Sequence, residues 1–214
     1  MVAVHIQWIR RLAAVDLGPR LAPAKVLLGA LLAFPFITNY ASASQWRPEQ
    51  GQELIGRKAP EFKQLAWLNS KPMTLASLRG KVVLIRFWLI GCPNCAEAVR
   101  VLMYMNRKYG KDGLVAIGIH HPKSREGEDP NVVLRAAHQL SLDFPLATDN
   151  AWTTLDEYWT GPSFPNHPYT SASFLIDKDG YIRWVHDGGE LSMDSPAAES
   201  LEDAVKQLIA EKQK

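Results

Sequence analysis

The chain has 214 residues, of which 47% are hydrophobic and 21% are charged. This composition is typical of one globular domain with a tail, and it excludes a disordered chain and a long charged coiled coil. The net charge of +2 offers no broad basic surface to a row of phosphates, so no nucleic-acid partner is expected.

The N-terminal part of the sequence has the pattern of a targeting segment. Residues 26–37 read VLLGALLAFPFI, without a charge, after several basic residues and before the small-residue sequence Ala41-Ser42-Ala43. A basic region, a short apolar stretch and a small-x-small site follow one another in this order in secretory signal peptides. The uncharged stretch extends to residue 46, so a membrane anchor formed by residues 26–46 is the alternative.

This pattern predicts how the chain is organised and where it is located. We expect a signal peptide or membrane anchor in residues 1–43, a linker in residues 44–53 and one folded domain in residues 54–214. The domain is then periplasmic or otherwise extracytoplasmic, either secreted or anchored by its N-terminal segment.

The two cysteines of the chain, Cys92 and Cys95, lie between a predicted strand and a predicted helix. Residues 81–89 form an apolar, strand-like run, Gly91 interrupts it, and an apolar residue recurs at helical spacing from Cys95 onward. One C-x-x-C pair is too few for a disulfide framework or a zinc ribbon. The pattern therefore predicts a redox-active pair at the N-terminus of a helix.

The position at the helix N-terminus suggests a role for each cysteine. Unpaired backbone N–H groups and the helix dipole favour a thiolate, so we expect Cys92 to have a lowered pKa and to be the attacking sulfur. Cys95, one turn further, is expected to be buried and to resolve the mixed disulfide. Pro93 suits the first helical turn, where its missing N–H costs nothing, and Asn94 keeps its N–H available to the sulfur.

The remaining elements alternate between strand and helix. Residues 114–119 form a short apolar run typical of a buried parallel strand, and Asp129 before Pro130 predicts a helix start. Residues 172–177 and 181–186 flank a tight turn and predict two antiparallel strands. A final helix is predicted from Pro196. These elements predict an α/β sandwich around a mixed sheet.

Several stretches carry a family resemblance. They are GRKAPEF at residues 56–62, PMTLASLRGKVVL at residues 72–84, Phe87-Trp88 before the cysteine motif, and FLIDKDG at residues 174–180. With them the chain resembles the TlpA/ResA-like, redoxin-type branch of the thioredoxin superfamily over roughly residues 54–212. The resemblance implies a thioredoxin-like three-layer sandwich with an N-terminal hairpin extension. It also implies disulfide exchange with protein dithiols and disulfides, a membrane electron donor and no cofactor.

Four positions depart from the pattern of that family. Ser171, preceded by Thr170, stands where relatives carry a cis-proline opposite the cysteines, which leaves room for a ligand. Gly91 replaces a tryptophan before the first cysteine and leaves that sulfur more open. Arg86 stands where thioredoxin has a buried acid, and it would favour a nearby thiolate if its guanidinium points inward. Ala98 takes the place of a glutamate, and Glu97, one residue earlier, is expected to be a solvated surface carboxylate.

Other polar residues have two interpretations, a role in catalysis and an ordinary structural role. Glu190, in the loop after the last strand, is a candidate proton donor or a plain turn carboxylate. His120 and His121 are expected to be strand-end histidines, because neighbours on a strand face opposite ways. The residues expected to shape the site around Cys92 and Cys95 are Trp88, Pro93, Asn94, Thr170, Ser171 and Glu190.

The sequence favours an extracytoplasmic thiol:disulfide oxidoreductase that acts as a reductase. The alternative is a copper- or zinc-binding metallochaperone in which both cysteines and a histidine hold the ion. A thiol peroxidase is a weaker alternative, because peroxiredoxins need a threonine three residues before the reactive cysteine and Leu89 stands there. The direction of electron flow is set by the reduction potential, which the motif does not fix.

Overall fold

The computed structural model describes residues 50–163, 167 and 169–213, and the predicted signal peptide or anchor lies outside this range. The described chain forms a six-stranded mixed sheet with helices on both faces. The strands are β1 (Ala66–Trp67), β2 (Val82–Trp88), β3 (Leu114–His120), β4 (Leu146–Thr148), β5 (Ser173–Ile176) and β6 (Ile182–His186). The helices are α1 (Pro93–Tyr109), α2 (Pro130–Gln139), the short α3 (Thr153–Leu155), which continues as a π-helical segment over Asp156–Thr160, and α4 (Pro196–Ala210).

The sheet has the strand order β1-β4-β3-β2-β5-β6. Strands β2, β3 and β4 run parallel, while β5 is antiparallel to both β2 and β6. Every residue of β2 is buried, as its nearly continuous apolar sequence predicts for a central strand covered on both faces. The predicted α/β sandwich with a thioredoxin-like mixed sheet is confirmed.

The long helices begin where their capping residues predict. Each has proline in its first turn, and its N-cap side chain accepts a backbone N–H: Asp129 in α2 and Ser195 in α4. Cys92 fills the same position in α1. The cap side chain accepts a hydrogen bond from an N–H group that the first helical turn leaves unpaired, and proline has no N–H that needs a partner.

Alternation along β2 divides the interior into two cores. Leu84 and Trp88 face α1, α2 and α4, whereas Ile85 and Phe87 face the opposite core, which includes residues of α3 and the segment after it. Because side chains on a strand alternate between faces, Arg86 shares the face of Leu84 and Trp88. The arginine therefore lies beneath the helix that carries the cysteines.

The segment before β2 differs from the predicted hairpin. Its strand β1 pairs with β4 at one edge of the sheet, and Lys58 forms an isolated bridge with Tyr181 at the other. Pro60 follows that bridge closely and has no N–H with which to extend it. Both ends of the segment thus pair with existing sheet edges and not with each other.

The two ends of the described chain lie at opposite ends of the sheet. Gly51 packs so closely on Trp159 and Val185 that an added Cβ would be 2.7 Å from each, so the folded unit begins upstream of residue 54. At the other end, Gly80 lies near the Gln213 side chain, and the Lys178 ammonium donates to backbone carbonyls at the end of α4. No helix within residues 50–163, 167 and 169–213 is long and apolar enough to cross a membrane.

Candidate redox site

The two cysteines lie at the junction of β2 and α1. Gly91 has a φ of +76°, a left-handed conformation that glycine adopts without a steric penalty, and it turns the chain into the helix. The Cys92 sulfur caps α1 and accepts the Cys95 backbone N–H at 3.2 Å. Cys92 is partly exposed and Cys95 is only 1% exposed. A partner molecule therefore reaches Cys92 first.

The surroundings of Cys92 shift its pKa in the direction opposite to the sequence prediction. Burial raises the pKa of the Cys92 thiol, and its interaction with the Cys95 thiol raises it further. The Cys95 backbone N–H and the charge of Arg86 lower it, but by less. The predicted position at the helix end is present, whereas the predicted lowering of the pKa is wrong because loss of water outweighs the helix amides.

Ser171 lies against the inner cysteine. The Cys95 thiol donates to the Ser171 hydroxyl at 3.2 Å, and the Thr170 hydroxyl lies 2.8 Å from His121 Nε2. Gly188, in the loop after β6, packs on the Ser171 backbone, where an added Cβ would lie 2.8 Å from the Ser171 carbonyl oxygen. No local sequence signal predicts the contact between Gly188 and Ser171, because it depends on how the two loops approach each other.

Arg86 is a fully buried cation next to the cysteine pair. Its side chain is 0% exposed, and Nη1 donates to the Ser173 hydroxyl at 3.0 Å. Nε and Nη2 have no hydrogen-bond partner in the described part of the chain. Burial lowers the pKa of Arg86, while its interactions with Cys95, then Cys92 and Asp187, raise it. The guanidinium points inward. This is the orientation under which the sequence predicted that Arg86 would favour a nearby thiolate.

The histidines near the site are buried and neutral at pH 7. Burial lowers the pKa of His120 and of His186 to about 4 and that of His121 to about 3. The ring of His120 packs edge-on against Trp88, with centroids 5.2 Å apart. No three His, Cys, Asp or Glu side chains among the described residues are grouped so that they could hold a metal ion.

Several of the predicted residues are exposed. Glu190 is exposed, and its backbone carbonyl, not its carboxylate, contacts His186, at 3.1 Å. Glu97 is exposed and pairs with Arg100 at 2.5 Å. Pro93 and Asn94 are exposed in the first turn of α1. The carboxylate that does interact with Arg86, Asp187, was not predicted, because its place beside the strand is visible only once the sheet register is known.

An apolar groove of about 290 Å³ opens beside the outer sulfur. It runs between the start of α1 and the C-terminal half of α2. Its wall is formed by Cys92, by Leu89 and Ile90 in the connection between β2 and α1, by Pro93 in α1, and by Ala136 and Leu140 at the end of α2. The face of the protein next to Cys92 can therefore accommodate an extended, partly apolar segment.

Comparison with known proteins gives the family. The profile described as the AhpC/TSA family matches residues 55–185. The chain belongs to the AhpC/TSA family. Among curated relatives of this AhpC/TSA member, the thiol-disulfide oxidoreductase YkuV of Bacillus subtilis is 28% identical over 159 residues, which are 74% of this chain and 93% of YkuV. The thiol-disulfide oxidoreductase ResA of Bacillus anthracis is 29% identical over 129 residues, covering 60% of this chain and 66% of ResA.

Another relative is much longer than this AhpC/TSA member. Protein DipZ of Mycobacterium bovis is 37% identical over 134 residues, which are 61% of this chain but 18% of DipZ. Among solved structures, a thioredoxin-like superfamily protein aligns with a TM-score of 0.61 at 25% identity, over 73% of this chain and 99% of its own. A thiol:disulfide interchange protein DsbE from Chlorobium tepidum aligns with a TM-score of 0.55 at 23% identity, over 73% and 98%.

These comparisons confirm the resemblance to redoxin-type proteins. This AhpC/TSA member has the thioredoxin fold, and its C-x-x-C motif is Cys92 and Cys95.

Proposed function

We propose that this protein is a thiol-disulfide oxidoreductase that reduces disulfide bonds of protein partners outside the cytoplasm, with Cys92 as the attacking thiol and Cys95 as the resolving thiol. The observation that carries the assignment is the difference in access: the Cys92 sulfur is partly exposed beside an apolar groove, while the Cys95 sulfur is buried beneath it. The N-terminal targeting pattern supports the extracytoplasmic location.

The proposed reaction proceeds in two thiol–disulfide exchanges. The Cys92 thiolate attacks one sulfur of the partner disulfide, and the other partner sulfur leaves with the bonding electrons and takes a proton from water. The Cys95 thiolate then attacks Cys92, which forms the Cys92–Cys95 disulfide and releases the second partner thiolate. The partner gains two electrons, and a membrane dithiol donor is the proposed source that restores the reduced pair.

An insulin-reduction assay with dithiothreitol as electron source tests the cysteine roles. Cys92→Ser is expected to abolish turnover because the exposed nucleophile is lost. Cys95→Ser is expected to retain the first attack and to accumulate mixed disulfides, visible as partner-sized mass increases on non-reducing gels. Turnover by Cys92→Ser at the rate of the unmodified protein would overturn the assignment.

The same preparations separate the two alternatives. A metallochaperone would contain copper or zinc in stoichiometric amount after anaerobic purification and would lose it in Cys92→Ser. A thiol peroxidase would consume hydrogen peroxide at a rate that depends on Cys92. We expect neither result, because the described residues group no third metal ligand with the cysteines and Leu89 occupies the place of the peroxidatic threonine.

A further inference from the structure

Two grooves lie side by side along α2. Gln139 lines the apolar groove that contains the Cys92 sulfur, and it also lines a second groove of about 360 Å³. The wall of this second groove, here called the polar groove, is formed by Asn131, Leu134, Arg135, His138 and Gln139. Residues three and four positions apart are neighbours on a helix surface. The two grooves therefore form one continuous surface that begins at Cys92.

The two halves of this surface differ in charge. Among the described residues, no charged side chain lines the apolar groove, and the polar groove contains a cation but no carboxylate. That cation, Arg135, is exposed and forms no ion pair or hydrogen bond within the described part of the chain. In contrast, Arg100 and Arg107 on the neighbouring helix α1 each pair with a carboxylate. The polar groove thus presents an uncompensated positive charge, which attracts an anionic group.

The position of Cys92 determines what reaches this surface. Its sulfur forms part of the wall of the apolar groove, and a partner cysteine must approach within bonding distance of that sulfur to exchange disulfides. The residues next to the partner cysteine are then the groups closest to the two grooves. The occupant is therefore the chain segment that carries the reacting disulfide.

We propose that the partner segment is extended and places a large aliphatic side chain in the apolar groove and an acidic side chain against Arg135. The proposal rests on the proposed function, because the reacting disulfide brings the segment to Cys92. A helix with its side chains is about 10–12 Å across, which three or four extended residues span at about 3.3–3.6 Å each. Alternate residues of an extended chain share a face. The aliphatic residue thus lies two positions from the partner cysteine and the acidic residue four.

Peptides with one cysteine, joined by a disulfide to thionitrobenzoate, test this preference in a stopped-flow experiment. The Cys92 thiolate attacks the peptide sulfur, and thionitrobenzoate leaves with the bonding electrons because its thiol has the lower pKa. The coloured thiolate therefore reports the first attack. One series carries the test residues before the cysteine and the other after it, so that both chain directions are covered.

The second-order rate constants of the peptides measure both parts of the recognition. In at least one series, leucine two positions from the cysteine is expected to react about fivefold faster than serine, because its side chain leaves water in the groove. Glutamate four positions from the cysteine is expected to react about threefold faster than lysine, as for an exposed ion pair. Salt at 0.5 M is expected to reduce the preference for glutamate and to leave the preference for leucine.

Charge reversal at Arg135 links the acidic preference to the polar groove. Arg135→Glu is expected to react faster with the lysine peptide than with the glutamate peptide, by about the same factor. Lys111→Glu is the control, because it makes the same change of net charge at an exposed site beyond the C-terminal end of α1. Since a helix of 17 residues is about 25 Å long, the control is expected to keep the preference for glutamate.

The outcomes separate this proposal from the proposed function. Release that depends on Cys92 but is equally fast for the glutamate and lysine peptides, or for the leucine and serine peptides, in both series would overturn the proposal and leave the proposed function standing. A dimer in sedimentation that Arg135→Glu converts to a monomer would also overturn it, because a second copy would then cover the grooves. Release by Cys92→Ser as fast as by the unmodified protein would refute the proposed function.

Discussion

In the proposed mechanism the sulfur of Cys92 is selected as nucleophile by access and not by acidity. It is partly exposed, yet burial and the neighbouring thiol raise its pKa. A thiolate of higher pKa is scarcer at neutral pH but intrinsically more nucleophilic. The rate of attack should therefore be governed by pH over the whole neutral and mildly alkaline range.

Alkylation of Cys92 by iodoacetamide tests this raised pKa. In the unmodified protein the rate is expected to rise about tenfold per pH unit from pH 7 to beyond about pH 8.5, the value for a free cysteine. In Cys95→Ser the rate should level off at a lower pH, because the thiol that raises the pKa is removed. Rates are measured by mass spectrometry of the modified peptide, and a rate already constant between pH 6 and 8 would contradict the expectation.

At this scale the sequence predicted the C-x-x-C pair and the position of Ser171 beside it, but not the approach of Asp187 to Arg86. The Cys92–Cys95 spacing and the strand before it are local features, so they are readable along the chain. The family resemblance placed Ser171 opposite the cysteines, and its hydroxyl oxygen lies 3.2 Å from the Cys95 sulfur. The approach of Asp187 to Arg86 depends on the pairing of β6 with β5 and could not be read locally.

At the scale of elements, the loop after β6 packs against the segment that carries Ser171. Gly188 has a φ of +96° and lies against the Ser171 backbone. Gly91 has a φ of +76°, with no atom within 4 Å of an added Cβ. The two glycines share a left-handed conformation and differ in whether a side chain has room.

Alanine at each glycine separates backbone strain from steric clash. Gly91→Ala is expected to cost about 1 kcal/mol of unfolding free energy from strain alone. Gly188→Ala should cost about 1 to 3 kcal/mol more, because its Cβ meets the Ser171 carbonyl. Denaturant unfolding measures both variants, and equal losses would show that the loop simply moves aside.

The elements that the sequence predicted are those with local signals. Asp129-Pro130 and Ser195-Pro196 each mark a helix start, and the helices α2 and α4 begin there. The predicted N-terminal hairpin did not form, because β1 and Lys58 pair with different edges of the sheet. The helical segment over Thr153–Leu155 and Asp156–Thr160 was not predicted, since its burial depends on the second core.

For the whole molecule, the buried histidines link folding to pH. The folded-state pKa values of His120, His121 and His186 are lowered to about 4, 3 and 4, below about 6.5 in an unfolded chain. Below pH 6.5 the histidines of the unfolded chain bind protons, whereas those of the folded protein do not. The free energy of unfolding therefore falls as the pH falls toward 4. Asp149 acts in the opposite sense, because burial raises its pKa.

Urea unfolding from pH 7 to pH 4.5 tests this dependence. Three such histidines predict a loss of up to about 4 kcal/mol per pH unit well below pH 6.5. His121→Gln is expected to reduce that slope by the contribution of one proton, which is about 1.4 kcal/mol per pH unit. His138→Gln, at an exposed site on α2, serves as the control and should keep the full slope. A stability that stays constant over this range would contradict the burial of neutral imidazoles.

The positions of the chain ends determine how the protein can be attached to a support. Gly51 lies beside Val185, near the end of the sheet that carries the cysteines, whereas Gln213 lies beside Gly80 at the far end. A biosensor surface or bead coupled after residue 213 would therefore present the sulfur pair outward to large substrates. Coupling immediately before Gly51 would place the support next to the reactive end, so immobilisation for capture experiments belongs at the C-terminal side.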